Sequence, residues 1–287
     1  MLNLYTFVTK NDGPVGELTE KEKVAVAYHD LFDYPLSFAE LIKWSGRTGT
    51  RLVKDLSVTG KNGFYVIEGR EGLIYKRLLR KRISAKKVEI AKKASRVLSF
   101  IPTVKMVALT GSLAMENSTD ESDIDLMVVT RKGSLWTTRL ASYLVSRLFG
   151  LKTRRPMDKS QKDRLCLNIW LDESNLIWRE GNIYTAHEIA QIVPLANKDR
   201  TYEKFLYKNK WILDFWPNAV RIKPTKILSV KCCSPIIRLL EKIAYRLQYF
   251  YMKKKITRET VTPTRAIFHP EDWGQVVLDR LKTHLVE

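Results

Sequence analysis

Cysteine is scarce in this sequence of 287 residues: Cys166, Cys232 and Cys233 are the full set. Three thiols cannot build a disulfide framework, and no spacing among them resembles a zinc site. Histidine is almost as rare, and His29, His187, His269 and His284 are scattered, with no metal-ligand pair at helical spacing. No apolar run approaches the roughly 18 residues that a membrane span requires. The N-terminus, with Lys10, Asp12 and Glu17, has no apolar signal core. These absences lead us to expect a soluble, cytoplasmic protein with no membrane partner. Internal repeats, coiled-coil heptads and low-complexity segments are also missing. Acidic residues are the last shortage: 31 Asp and Glu stand against 50 Lys and Arg, for a formal net charge of +19. That excess points to a polyanionic partner, nucleic acid or nucleotide. The hydrophobic fraction of 45% excludes wholesale disorder, and the length fits two or three compact pieces.

The first piece is expected over residues 1–83, with structure from Leu18. Thr19 with Glu22 and Ser37 with Glu40 form capping boxes that open two helices. A third helix is expected over Gly49 to Leu56. Two strands, Gly63 to Ile67 and Leu73 to Tyr75, are expected to form a hairpin joined by Glu68 to Gly72. Three short helices and a hairpin resemble a winged-helix domain. That reading would set the third helix, with Arg51, against nucleic acid; the alternative is a packing or dimerisation module.

A core with a basic leading helix is expected over residues 84–180. Between Arg70 and Lys105 only Glu71 and Glu89 oppose the lysines and arginines. Val88, Ala91, Ala94, Val97 and Leu98 recur at helical spacing, so Lys86 and Lys93 belong to an exposed face, either a phosphate-binding stripe or a solvated one. Residues 181–287 are read as helical. There Thr185 with Glu188 suggests a third capping box, and Ser234-Pro235 opens a long helix. This last region is expected to position an acceptor or to form a dimer interface.

The chemistry is concentrated between residues 100 and 175. Val104 to Leu109 reads as a buried strand, followed by the turn Gly111-Ser112 and then Asp123-Ile124-Asp125 at the start of another strand. With a period of two, Asp123 and Asp125 share one face, about 7 Å apart along the strand. Such a pair opposite a Gly-Ser turn suits a divalent cation bound to a phosphate chain. Gly111 lets a phosphate approach the backbone, Ser112 offers its hydroxyl and amide, and the following helix start adds partial positive charge.

Gly111-Ser112, ten intervening residues and Asp123-Ile124-Asp125-Leu126 together resemble the signature of the DNA polymerase beta-like nucleotidyltransferase superfamily. The resemblance implies an α+β core, a mixed sheet with flanking helices, and transfer of a nucleoside monophosphate from a nucleoside triphosphate under Mg²⁺ or Mn²⁺. It also implies a third carboxylate on the next strand, Leu165 to Leu171. Alternation there sends Leu165, Leu167, Ile169 and Leu171 to one side and Cys166, Asn168, Trp170 and Asp172 to the other. The matching residue is therefore Asn168, an amide. Either Asp163 or Asp172 substitutes for the carboxylate, or the cation site is weakened, or the copy does not catalyse.

Around this site Arg131 and Lys132 are candidate nucleotide-binding residues, Arg154 and Arg155 candidates for a nucleic-acid backbone, and Trp170 either stacks on a base or is buried. The leading expectation is a metal-dependent nucleotidyltransferase acting on a nucleic acid, RNA favoured over DNA. A non-catalytic nucleic-acid-binding regulator and transfer to a small molecule or protein are the alternatives. The sequence leaves the oligomeric state open.

Overall fold

The computed structural model describes residues 18–46, 56–154, 160–179, 181–225, 234–254, 256–268 and 273–286. Arg51, Arg155, Cys232, Cys233 and nearly all of the expected third helix lie outside them. Helix α1 (Glu20–Asp30) opens on Thr19, whose N–H donates to Glu22 Oε2 at 2.8 Å. After a short strand β1 (Leu36–Ser37), Ser37 caps α2 (Phe38–Trp44) in the same way, its N–H donating to Glu40 Oε2 at 2.9 Å. Strands β2 (Val58–Lys61) and β3 (Phe64–Ile67) complete a small antiparallel sheet in the order β1-β3-β2.

The hairpin sits one strand earlier than the sequence reading put it. Its turn is Asn62-Gly63, both at positive φ, and this dipeptide is the commonest tight hairpin signal. Leu73 to Tyr75 are not a strand but the first turn of α3 (Leu73–Ser99), which runs through position 84 without a break. The apolar Leu-Ile-Tyr run imitates a strand over three residues; Arg77 and the buried positions beyond it carry the helical period.

The main sheet has six strands in the order β7-β4-β5-β6-β9-β8. Strand β4 (Val104–Leu109) pairs antiparallel with β5 (Ile124–Thr130), and β5 pairs parallel with β6 (Leu165–Asp172). The one-turn helix α4 (Gly111–Ala114) follows β4, and α5 (Leu135–Leu148) makes the crossover from β5 to β6. The region after 181 supplies helices α6 (Ile183–Ala190), α7 (Thr201–Lys208), α8 (Pro235–Met252) and α9 (Trp273–Val286). It also supplies three strands that an all-helical expectation did not contain: β7 (Val193–Asn197), β8 (Thr260–Thr262) and β9 (Arg265–Ile267). These strands are short and pair with distant partners, so no local pattern marks them.

Both faces of the sheet are covered. Val107, Leu109, Leu126, Val128, Leu167 and Trp170 pack under α3, α5 and α8. Met106, Ala108, Met127, Val129, Ile169 and Leu171 form one core with Tyr28, Leu41 and Trp44 of the N-terminal segment and with Ile189 and Trp216. The N-terminal segment is thus packed directly on the face of the sheet that carries Asp125. Arg77, buried in α3, fastens it there: its guanidinium donates to Tyr34 Oη at 2.6 Å, Glu40 Oε1 at 3.1 Å and the Glu116 carbonyl at 3.2 Å.

Candidate active site

Asp123 and Asp125 flank Ile124, which enters the core, and both carboxylates face one cavity of about 490 Å³. Gly111 meets them across the strand pair at φ +59°. A Cβ on residue 111 would lie 2.9 Å from Asp125 Oδ2, so the glycine makes room for the carboxylate as well as for the backbone turn. Ser112 lines the same cavity, its Oγ 3.3 Å from Ser118 Oγ.

Strand β6 answers the question of the third carboxylate. Its register against β5 shifts after the pair Asp125 and Cys166, so that Met127 faces Ile169. A bulge of this kind reverses the alternation. Cys166, Asn168 and Ile169 line the cavity, while Leu165, Leu167 and Trp170 are in the opposite core. Trp170 is therefore buried away from the site and is not a base-stacking platform. Asn168 Nδ2 donates to Asp125 Oδ1 at 2.7 Å. Asp163 pairs with Lys87 at 2.7 Å, and Asp172 accepts from the Gly133 and Ser174 amides. Neither lines the cavity, so neither replaces the amide at 168.

Among the lining residues that sequence reasoning does not assign to the site are Cys166 and Glu188. Cys166 Sγ lies with an oxygen of Asp123 and one of Asp125 in a group whose ligand atoms are all within 4.8 Å of one another. Glu188 was read as a capping-box partner of Thr185. In fact α6 starts at Ile183, capped by Asn182 Oδ1, which accepts from the Thr185 amide at 2.8 Å, and Glu188 is left facing the cavity. Burial, with the Asp123 charge adding to it, pushes Asp125 up to about 7, against hydrogen bonds from Cys166 and Asn168 that favour its ionised form. Burial, then the Asp125 charge, likewise raises Glu188 to about 7, and burial beside both aspartates raises the Cys166 thiol.

The N-terminal segment closes one side of the cavity with His29, Phe32 and Tyr34; Phe268 and Trp273 add aromatic surface from the C-terminal region. Behind them His29 and His187 meet Nε2 to Nε2 at 3.1 Å. His29 Nδ1 is 2.8 Å from the Ala25 carbonyl, which can only accept, so Nδ1 carries the proton and His187 donates to His29 Nε2.

The basic candidates separate. Arg154 Nη1 donates to Asp123 Oδ2 at 2.9 Å, which places Arg154 in the cavity. Arg131 and Lys132 follow the other end of β5, about 20 Å of strand from Asp125, and are not among the lining residues. Lys86 and Lys93 are exposed on α3. Lys87, between them in sequence, is buried, and its ammonium donates to the Asp120 and Ser122 carbonyls as well as to Asp163. The leading helix thus has acidic partners from distant elements, Asp33, Glu40, Glu116 and Asp163, which a count along the chain cannot see.

The residues present fit a divalent cation. Two carboxylates and a thiol converge, and the Asn168 side-chain oxygen is buried in the same cavity with no hydrogen-bond partner among the described residues.

Residues 90–174 match the family model of a nucleotidyltransferase domain, a span from within α3 to just past β6. This agrees with a member of the polymerase beta-like superfamily, and Gly111, Ser112, Asp123, Asp125, Cys166 and Asn168 all fall inside it. No curated protein matches the chain. Among the described residues no helix is long and apolar enough to cross a membrane.

Proposed function

We propose that this nucleotidyltransferase domain transfers a nucleoside monophosphate from a nucleoside triphosphate to an acceptor hydroxyl, with a divalent cation held by Asp123 and Asp125. The observation that carries the reading is the meeting of both carboxylates and the Gly111-Ser112 turn on one cavity within the matched span. A bound cation would neutralise the charge that grows on the leaving pyrophosphate. Ser112 offers its hydroxyl and amide to the phosphates, and Arg154 balances Asp123. Asn168 orients the Asp125 carboxylate but cannot accept a proton at neutral pH. Glu188 is the lining carboxylate left to take the proton of the acceptor hydroxyl. Phe32, Tyr184, Phe268 and Trp273 give the cavity the apolar surface that a nucleobase requires.

The acceptor we favour is a nucleic acid, an RNA or a single-stranded end, tracked by the exposed Lys86 and Lys93 and the +19 excess. The helix-strand-helix-hairpin order of the N-terminal segment supports its reading as a winged-helix-like module. One observation favours a small-molecule or protein acceptor instead. His29, Phe32 and Tyr34 wall the cavity, whose volume is that of a small-molecule site. The test is incubation with each labelled nucleoside triphosphate, a divalent cation and RNA, DNA, protein and small-molecule acceptors. Label should pass to one acceptor class and be lost in Asp123→Asn and Asp125→Asn. Full activity in both variants would refute the reading. A nucleic-acid acceptor also requires affinity that falls steeply as salt rises.

A further inference from the structure

We infer that Cys166 and Asn168 complete the cation site as its third and fourth protein donors, forming a mixed oxygen and sulfur set that selects a borderline-soft ion such as Zn²⁺ over Mg²⁺. The inference rests on the reading above that Asp123 and Asp125 hold a cation, and it changes which cation.

The first observation is the position of the thiol. Strands β5 and β6 pair in parallel with Asp125 opposite Cys166, which brings Sγ and one oxygen of each aspartate within 4.8 Å of one another. Ordinary alternation keeps Cys166 and Asn168 on this face, and the bulge that follows turns Ile169 to it as well. The second observation is independent of the first. Asn168 is 6% exposed and its Oδ1 has no hydrogen-bond partner among the described residues. Its orientation is fixed chemically, because the Asp125 carboxylate at 2.7 Å accepts, so the bonded atom is the amide nitrogen and the orphan is the oxygen. A buried acceptor without a donor is costly unless a ligand satisfies it. The third observation is that a positive group is already drawn to this point. Arg154 Nη1 is 2.9 Å from Asp123 Oδ2 and 3.6 Å from Cys166 Sγ, on a half-exposed side chain.

Donor chemistry then decides the ion. Mg²⁺ demands hard oxygen ligands in near-octahedral array, whereas thiolate with carboxylate and amide oxygens suits Zn²⁺ or Co²⁺. On coordination the Cys166 thiol gives its proton to solvent and binds as thiolate. The sequence could not show such a site, because its donors come from two paired strands rather than from one spaced motif.

The experiment uses the full chain with Cys232→Ser and Cys233→Ser, so that Cys166 is the sole thiol. Titration with Co²⁺ should produce a thiolate-to-cobalt charge-transfer band in the near ultraviolet. Zn²⁺ should displace it, a thousandfold excess of Mg²⁺ should not, and Cys166→Ser should abolish it. Zn²⁺ affinity should fall at least about 10-fold in Cys166→Ser and in Asn168→Ala. Alkylation of the unmutated Cys166 should be slowed by Zn²⁺ but not by Mg²⁺, a readout that survives if either variant misfolds. No band, a band that persists without Cys166, or displacement by equimolar Mg²⁺ overturns the inference. These optical readouts need no turnover. A protein that binds Co²⁺ through Cys166 but transfers nothing therefore refutes the proposed activity alone, and one that transfers with no band refutes this inference alone.

Discussion

Gly111→Ala and Gly150→Ala place the same methyl group on the same kind of backbone, yet they should have different consequences. Both glycines are left-handed, at φ +59° and +66°. An alanine forced into that region costs about 1–2 kcal/mol, whatever surrounds it. At Gly150, past the end of α5, the new Cβ meets nothing within 4 Å, so that strain is the whole effect. At Gly111 the Cβ would lie 2.9 Å from Asp125 Oδ2, closer than real Cβ atoms come to any neighbour. Asp125 cannot yield cheaply, because its other oxygen is tied to Asn168 at 2.7 Å and it is the second residue of a buried strand. Displacing it should raise the total cost to about 2–3 kcal/mol. A shift of even part of an ångström in a catalytic carboxylate should reduce transfer about 100-fold. Urea unfolding would measure the first quantity, and labelled-nucleotide transfer with cation titration the second. Equal stability and equal transfer in the two variants would show that the contact between Gly111 and Asp125 does not organise the site.

Three further outcomes follow from the geometry. Glu188 must be ionised to take a proton, so the transfer rate should rise with pH through about 7, and Glu188→Gln should both slow transfer and flatten that rise to the part that Asp125 contributes; an unchanged profile would exclude Glu188 as the base. His29 is held at about 4 by burial, opposed by its bond to Ala25 and by Glu40, with Lys43 and Arg77 pressing the same way as burial. A base whose folded value is depressed contributes stability above about 6.5 and loses it as pH falls towards 4, so wild type should lose about 3 kcal/mol relative to His29→Gln across that window. Taking the difference between the two proteins cancels the opposite slope from Asp125 and Glu188, whose raised values weaken the fold as pH rises; parallel urea curves from pH 7 to 4 would sink the claim. Lys87→Met should cost about 2 kcal/mol, chiefly by leaving the Asp120 and Ser122 carbonyls without their donor, since Asp163 is 42% exposed and water reaches it; thermal unfolding measures this, and a neutral result would mean that water replaces the ammonium.

The centre of this fold was legible because its signals are local. Val104 to Leu109, Gly111-Ser112 and Asp123-Ile124-Asp125 each announce a strand or a turn within a few residues, and they lie where expected. Where the reading failed, the deciding partner was remote. The β6 bulge is set by its pairing with β5, so perfect alternation in the sequence assigned Trp170 to the wrong face. Thr185 with Glu188 fits a capping motif, but Asn182, three positions earlier, is the cap. The Asn62-Gly63 turn was present in the sequence and was passed over for a longer loop. Arg131 and Lys132 are near Asp125 in sequence, yet a straight strand carries them away from it.

Helix α3 joins two grips. Arg77 holds Tyr34 and Glu40 at one end, and Lys87, ten residues or about 15 Å further on, holds the two loops that lead into Asp123 and into β6. The helix thus links the N-terminal segment to the loops on either side of the site. A tilt of about 4° about Arg77 displaces Lys87 by about 1 Å, a movement large enough to open or restore a catalytic geometry. Any displacement of the N-terminal segment would therefore also load the loops that lead into Asp123 and β6.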